Sequence, residues 1–193
     1  MSKNIKDMNQ AQRILNAAFK CISDRGYANV SLRDIADEAG VVLSQLNYYY
    51  KNKEGLFVEV INMLAQLYII EIEDKLKKSK SQKEGIKSLI EYFQELLSEN
   101  PELIKLLFDL TSMALWSKSL KSLLNELFNS LARLIEKYIV SEFFDKERFK
   151  NSSPRILSRI MLGTIIGTLI QIILSNDKED MLNSLSSMNI LFE

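Results

Sequence analysis

The fold is decided by the stretch Ser31–Tyr50, SLRDIADEAGVVLSQLNYYY. Ser31 is followed three residues later by Asp34, which is the spacing of a capping box with Asp in place of Glu at the start of a helix. The apolar positions that follow have helical spacing and are Leu32, Ile35, Ala36 and Ala39. We expect Gly40 to end this short helix, because glycine readily adopts the left-handed conformation that closes many helices.

A second short helix is predicted from about Leu43 to Tyr50, with Leu46 facing the core together with Tyr50. Two short helices joined by a glycine turn form a helix-turn-helix, whose second helix enters the major groove of DNA. With Leu46 inward, steps of about 100° per residue place Ser44 and Tyr48 on the opposite, exposed face. Gln45 and Asn47 flank that face.

The side chains on this face suit DNA. Gln and Asn pair with adenine through two hydrogen bonds, and Tyr reaches phosphate or sugar. Basic residues at the ends of elements commonly contact phosphate, so the predicted DNA-binding residues are Arg33, Ser44, Gln45, Asn47, Tyr48, Tyr49, Lys51 and Lys53. A plain three-helix subdomain packed on the rest is the alternative. The run Tyr48-Tyr49-Tyr50 argues against it, because at least one ring must point away from the core.

The longer stretch Arg13–Phe57, RILNAAFKCISDRGYANVSLRDIADEAGVVLSQLNYYYKNKEGLF, resembles the N-terminal signature of the TetR family. The matching positions are Ala17-Ala18-Phe19, Gly26-Tyr27, Ser31, Ile35-Ala36, Ala39-Gly40-Val41, Leu46, Tyr48 and Lys53-Glu54. The resemblance implies a DNA-binding head on a helical body that dimerises and senses a ligand. It also implies phosphate contacts for Tyr48 and Lys53, with Gln45 and Asn47 as the better candidates for base edges.

The recognition helix departs from the family pattern at its start. Val42 stands where the family commonly has a Ser that caps the helix, so the helix either starts uncapped or starts later, at Ser44. Leu43 replaces a residue that is usually basic or small, which removes a possible phosphate contact. Further departures are Asn47 where Tyr is frequent, and Tyr49 and Tyr50 where His and Phe are frequent. These changes leave the operator sequence unpredicted.

Outward from this stretch, the whole pattern is helical, and we predict an all-α protein of about nine helices without strands. The first helix is expected from about Asn9 to Arg25, with Gly26 as its stop. Asn52 is expected to cap a long fourth helix, and Pro101 and Pro154 to begin later ones. The inward positions predicted for the fourth helix are Leu56, Phe57, Val60, Ile61, Leu64 and Leu67. The predicted domains are a helix-turn-helix head, residues 1–52, and a ligand-binding and dimerisation bundle, residues 53–193.

Composition narrows the class of protein. The chain has one cysteine and no histidine, so an internal disulfide is excluded and the commonest general base and metal ligand are absent. Residues 1–53 carry eight Lys or Arg and five Asp or Glu, a net charge of +3, whereas the remaining 140 carry 17 and 20, a net charge of −3. A basic head suits a polyanion. The polar segment Met1–Gln10 shows no secretory signal, so we expect a cytoplasmic protein.

The apolar run Ile160–Leu174, IMLGTIIGTLIQIIL, is the most distinctive feature of the body. A membrane span needs about 20 apolar residues, so this run favours a buried interface helix instead. Its glycine spacing permits close helix approach. By resemblance, Pro154–Leu174 and Lys178–Leu191 would form a four-helix bundle with a second copy. The predicted dimer-interface residues are Gly163, Ile166, Gly167, Ile170 and Leu174.

The ligand site is predicted by resemblance alone, among the middle helices of roughly residues 53–143. Apolar and aromatic candidates for its lining are Tyr68, Tyr92, Phe93, Phe108, Met113 and Trp116. Each of them also fits an ordinary core position. Without histidine or acidic clusters at metal spacing, we expect no metal and no cofactor, and an apolar or amphipathic organic ligand.

Three functions follow as hypotheses. The first is a ligand-responsive transcriptional regulator, in particular a repressor that a small molecule releases from a palindromic operator. The second is an enzyme on a helical bundle, which the sequence disfavours because it lacks a phosphate loop, a Ser/Cys–His pairing and Glu-x-x-His ligands. The third is a helical protein-interaction module without a small-molecule inducer.

Overall fold

The computed structural model describes residues 10–140 and 153–187, and within these ranges it contains α-helices, one 3-10 turn and no strand. The 3-10 turn covers Tyr27–Asn29. The helices are α1 (Gln10–Arg25), α2 (Leu32–Ala39), α3 (Leu43–Tyr49), α4 (Lys53–Lys77), α5 (Gln82–Glu99), α6 (Pro101–Ala114), α7 (Lys118–Tyr138), α8 (Pro154–Leu174) and α9 (Lys178–Ser187). The all-α prediction is confirmed, and the described residues contain the nine helices expected. The part of the predicted last helix beyond residue 187 lies outside the described residues.

The starts of the later helices follow local sequence signals. Asn52 Oδ1 accepts a hydrogen bond from the backbone N–H of Gly55 at 2.7 Å, which caps α4 as predicted. Pro101 is the first residue of α6. Ser153 Oγ accepts from the N–H of Ile156 at 3.3 Å, and Pro154 begins α8. Asn52 and Ser153 each accept a hydrogen bond from a backbone N–H that has no partner inside the helix, and a proline at the first helical position has no such N–H.

The described residues form two compact units. The first contains the described residues up to Gln66 together with Lys105–Leu123, and the second contains Leu67–Ile104 together with the described residues from Leu124 onward. The core of the first unit includes the first turns of α4, since Leu56, Phe57 and Val60 are fully buried. The boundary predicted between residues 52 and 53 therefore falls at the first residue of a helix that contributes to the first core.

The second unit has its core on α5, the later turns of α4 and α7, and one face of α8. Gly85 lets α5 pack closely against the residue that follows α7, because an added Cβ would lie 3.2 Å from Ile139 Cγ1. The inward position predicted at Leu67 is wrong, since this side chain is 54% exposed. The buried positions of α4 continue with Ile72 and Leu76 instead. The spacing of apolar residues alone does not predict this change in the buried side of the helix.

Two helices, α4 and α8, are long and apolar enough to cross a membrane by length and composition. The length argument made for the run Ile160–Leu174 does not hold, because α8 extends over 21 residues from Pro154. Its burial points elsewhere: one stripe of α8 is packed inside the second unit, as in the core helix of a protein body, and consists of Ser158, Met161, Leu162, Ile165, Leu169 and Ile172.

Candidate nucleic-acid interface

The first helix of the helix-turn-helix begins with the predicted capping box. Ser31 Oγ accepts a hydrogen bond from the Asp34 N–H at 3.2 Å, and the Ser31 N–H donates to Asp34 Oδ2 at 2.7 Å. The Ser31 hydroxyl also donates to this carboxylate. These hydrogen bonds, the hydroxyl first, and the nearby guanidinium of Arg25 lower the pKa of Asp34 to about 2. The start of α2 is therefore fixed locally.

The turn depends on Gly40, which has φ +64° and ψ 41° and lies in the left-handed region, as predicted. The N–H of Val41 donates to the carbonyl of Ala36 at 3.0 Å and closes the turn. Arg13 of α1 donates from a terminal guanidinium nitrogen to the carbonyl of Ala39 at 2.7 Å. This hydrogen bond from α1 to the turn was not predicted, because 26 residues separate Arg13 from Ala39 and no local sequence pattern joins them.

The start of α3 resolves the two alternatives left by Val42. The helix begins at Leu43 with Val42 in the cap position and without a side-chain cap. Gln45 partly compensates, since its Oε1 accepts a hydrogen bond from the Val42 N–H at 3.3 Å. Gln45 thus has one structural contact at the helix start, and its amide N–H₂ is left to face solvent.

The orientation of α3 is the predicted one. Leu46 is fully buried and Tyr48 is 84% exposed. Ser44, Gln45 and Asn47 are exposed beside Tyr48. A polar, aromatic face of this kind, presented by the second helix of a helix-turn-helix, has the shape and the donors and acceptors needed in a major groove.

The other two tyrosines of the run are tied to the start of α1. Tyr50 is half-buried, and its hydroxyl donates to the carbonyl of Ala11 at 3.3 Å. The Tyr49 hydroxyl donates to Gln10 Oε1 at 3.4 Å, while its ring meets the Tyr48 ring edge-on with centroids 5.3 Å apart. Both contacts hold the C-terminal end of α3 and leave Tyr48 projecting.

The three basic residues predicted to contact phosphate have different environments. Arg33 in the first turn of α2 and Lys51 after α3 are exposed. Lys53 is half-buried: its Nζ donates to the carbonyl of Tyr27 and lies 4.1 Å from the centre of the Tyr27 ring. Burial lowers the pKa of Lys53. Lys53 therefore stabilises the first unit, and a phosphate contact would have to use its remaining N–H donors.

Residues of α6 and α7 support the same unit from further along the chain. Asp109 Oδ2 accepts a hydrogen bond from the backbone N–H of Tyr27 at 3.1 Å. The Glu54 carboxylate accepts hydrogen bonds from the hydroxyls of Ser117, at 2.7 Å, and Ser119. These two hydroxyls lower the pKa of Glu54, Ser119 more strongly. None of these contacts was predicted, because their partners are more than 60 residues apart.

The candidate ligand-lining residues are divided between the two units. In the second unit Tyr92 and Phe93 are buried and Tyr68 is half-buried. In the first, Phe108 and Met113 are half-buried, whereas Trp116 is 90% exposed and does not line an interior. The Tyr92 hydroxyl donates to Glu71 Oε2 at 3.2 Å, and burial raises the pKa of Tyr92. Among the described residues, no three His, Cys, Asp or Glu are grouped as for a metal ion.

The face of α8 opposite its buried stripe is apolar and open. An added Cβ at Gly163 or Gly167 would meet no atom within 4 Å. Ile170 is 37% exposed and Leu174 is 77% exposed, while Ile166 is half-buried. Four of the five predicted interface residues thus line this face, and Ile166 lies at its edge.

The comparisons with known proteins agree with this geometry. A family model described as "Bacterial regulatory proteins, tetR family" matches residues 14–60, which span α1 to the first turns of α4. The fatty acid metabolism regulator protein of Bacillus subtilis (strain 168) is 22% identical over 170 residues, 88% of this chain and 86% of that protein.

Two solved structures show the same fold over nearly the whole chain. FadR from Bacillus subtilis in complex with stearoyl-CoA gives a TM-score of 0.79 at 22% identity, covering 94% of this chain and 96% of that one. A TetR transcription regulator from Haloarcula marismortui gives a TM-score of 0.80 at 20% identity, covering 95% of each chain. Over residues 14–60, which include the capped helix-turn-helix and its exposed face, the chain thus matches the tetR-family model, and over nearly its whole length it shares the fold of these two regulators.

Proposed function

We propose that this protein is a cytoplasmic homodimeric repressor, without enzymatic activity, that leaves a palindromic operator when a small apolar or amphipathic molecule binds its body. The observation that carries the proposal is the exposed face of α3 around Tyr48, held in place by the buried Leu46. The matched family model, which covers residues 14–60, supports the same function for this part of the chain.

On the operator, the roles follow from chemistry and exposure. Gln45 and Asn47 carry the amides suited to base edges, and Ser44 with Tyr48 faces the groove beside them. The exposed Arg33 and Lys51 would hold phosphates on either side, and Lys53 would contribute the N–H donors that its bond to Tyr27 leaves free. Tyr49 would reach a phosphate by exchanging its hydrogen bond to Gln10 for one to the DNA. The proposed DNA-binding domain ends near residue 52, and residues 53–193 carry the effector and dimer functions.

The proposed dimer uses the open face of α8. Its positions alternate steps of four and three residues, the spacing of a helix–helix seam, and they are Ile156, Ile160, Gly163, Gly167, Ile170 and Leu174. The open space at Gly163 and Gly167 allows a second helix to approach closely. A two-fold dimer suits a palindromic operator, whose two half-sites would each take one copy of α3.

We propose an effector with a long apolar part and a polar end, such as an acyl thioester. The support is a relative: FadR of Bacillus subtilis, which shares the fold, is described in complex with stearoyl-CoA. On this chain, the candidates combine the buried ring of Phe93 with the hydroxyl of Tyr92, which donates to Glu71 Oε2. Tyr68, Phe108 and Met113 remain candidates for the lining, and the exposed Trp116 is the weakest of the six.

The experiment is a gel shift with DNA from upstream of the protein's own gene, titrated with stearoyl-CoA and, separately, with stearate and coenzyme A. We expect a specific shift that the acyl thioester abolishes and coenzyme A alone does not. A specific shift that none of the three compounds changes would overturn the proposed effector class. Absence of a specific shift at low salt would overturn the proposed repressor.

A further inference from the structure

The second unit contains a polar groove of about 320 Å³ between α7 and α8. Its lining residues are Asn129, Ala132, Arg133, Glu136, Arg155 and Arg159. Its volume is at the lower end of the range for small-molecule sites, roughly 300–1,000 Å³. None of the aromatic and apolar candidates for the effector site belongs to its lining. The groove is therefore a separate feature of the body.

The arginines of this groove stand out against the composition of the body. Residues 54–193 carry thirteen lysines and only four arginines, and three of the four arginines line this groove. The fourth, Arg148, lies outside the described residues. Arginine differs from lysine in offering a planar fork of donors that matches the oxygens of phosphate or carboxylate. The body is net acidic, yet this one place carries three fixed positive charges against one carboxylate.

Among the described residues, two side-chain hydrogen bonds involve these arginines. Arg159 donates to Asn129 Oδ1, and Arg133 donates to Ser130 Oγ at 3.0 Å. Neither bond is to a carboxylate, and within the described ranges none of the three groove arginines forms an ion pair. With three guanidinium groups and the single carboxylate of Glu136 the groove has a net positive charge, and a bound anion balances it.

We propose that this groove binds a phosphate monoester, with Arg133, Arg155 and Arg159 around the phosphoryl oxygens. Arg155 and Arg159 are four residues apart and so share one face of α8, toward which Arg133 projects from α7. Asn129 orients Arg159 through its Oδ1, and its own N–H₂ can donate to the anion. Glu136 accepts a hydrogen bond from a hydroxyl or amino group on the part that carries the phosphate. This site does not depend on the identity of the effector proposed above.

The test is calorimetric titration of the full chain with inorganic phosphate and with glycerol 3-phosphate at constant ionic strength, with chloride as the control anion. We expect saturable binding of both phosphates, tighter for glycerol 3-phosphate because its hydroxyls reach Glu136. Arg155→Gln and Arg159→Gln should each weaken binding about tenfold or more, as loss of a charge-assisted hydrogen bond does. Lys121→Gln removes the same charge from an exposed position of α7 outside the groove and should change nothing.

A variant that should strengthen phosphate binding tests the role of charge in the groove from the opposite direction. Glu136→Gln removes the one negative charge of the groove, so inorganic phosphate should bind more tightly than it does to the unchanged protein. Folding of every variant is checked by circular dichroism and thermal unfolding. Binding that is absent, that is equal in Arg159→Gln and the unchanged protein, or that chloride reproduces would overturn the proposal. Loss of phosphate binding in Lys121→Gln to the same extent would also overturn it, since the effect would then be one of overall charge.

Discussion

The carboxylate of Asp109 in α6 accepts a hydrogen bond from the backbone N–H of Tyr27, with 3.1 Å between Oδ2 and N. The backbone carbonyl of Tyr27 accepts a hydrogen bond from Lys53 Nζ, and the Tyr27 ring lies against the Phe57 ring with centroids 4.7 Å apart. The turn after α1 is thus held by α4 and α6 together. Because α1 and the turn position the helix-turn-helix, side chains far along the chain contribute to the geometry of the DNA-binding face.

Replacing Asp109 with Ala should destabilise the protein by about 1–2 kcal/mol, because the part-buried N–H of Tyr27 then loses its acceptor. The measurement is the free energy of unfolding in urea. Asp109→Asn is the matched control, since its amide oxygen can still accept the hydrogen bond and most of the stability should remain. Equal losses in both variants would mean that the charge of Asp109, and not its hydrogen bond to Tyr27, matters.

The capping box gives a dependence of stability on pH. The folded-state pKa of Asp34 is about 2, below the value of 3.8 for a free side chain, so ionised Asp34 stabilises the folded protein. This contribution is complete above about pH 4 and is lost as the pH falls through 2. Thermal unfolding between pH 5 and pH 2 should therefore show a smaller decrease in Tm for Asp34→Asn than for the unchanged protein. An identical decrease in both would contradict the assignment.

Removing the cap itself is a separate test. Ser31→Ala deletes the acceptor of the Asp34 N–H and should cost about 1 kcal/mol, the usual value for a Ser N-cap. Ser31→Asp keeps an acceptor at the cap and should restore part of that loss, less the repulsion with Asp34. The free energies of unfolding of the three proteins are measured in urea. A Ser31→Ala protein as stable as the original would show that α2 is fixed by its packing alone.

The local signals of the sequence were sufficient for the helices and for the face of α3. Ser31, Asn52, Pro101 and Ser153 each begin a helix through hydrogen bonds or a dihedral preference that involve only the next few residues. The exposure of Tyr48 likewise follows from its position two residues after the buried Leu46. Features that depend on a single helix can be predicted from the sequence, because the spacing of residues along the chain fixes their positions around the helix.

Contacts between distant parts of the chain could not be predicted in this way. The carbonyl of Ala39 is capped by Arg13, and the groove arginines come from α7 and α8. Spacing along the sequence contains no information on which helices become neighbours. The inward position predicted at Leu67 is wrong for the same reason, because the buried side of α4 shifts to Ile72 and Leu76 further along the helix.

The proposed dimer predicts a contrast between two substitutions of equal charge. Gly163→Arg should convert the dimer to a monomer, because it places a long cation on the seam, while the fold tolerates it in open space. Asn125→Arg adds the same charge at an exposed position of α7 away from the seam and should leave the dimer intact. Sedimentation equilibrium gives the molar masses. A Gly163→Arg protein that remains dimeric would contradict the proposed interface.

The affinity of the protein for DNA with and without the ring of Tyr48 tests whether the exposed face of α3 reads DNA. Fluorescence anisotropy is measured with a labelled duplex from upstream of the protein's own gene and with an unrelated duplex of equal length, both at the same salt concentration. We predict a preference of about 1,000-fold or more for the upstream duplex, and a loss of about tenfold or more in Tyr48→Ala. Leu115→Ala, at an exposed apolar position of the same unit, should bind as the unchanged protein does. Equal affinity for the two duplexes, or a Tyr48→Ala protein that binds as tightly as the original, would show that the exposed face of α3 does not read DNA.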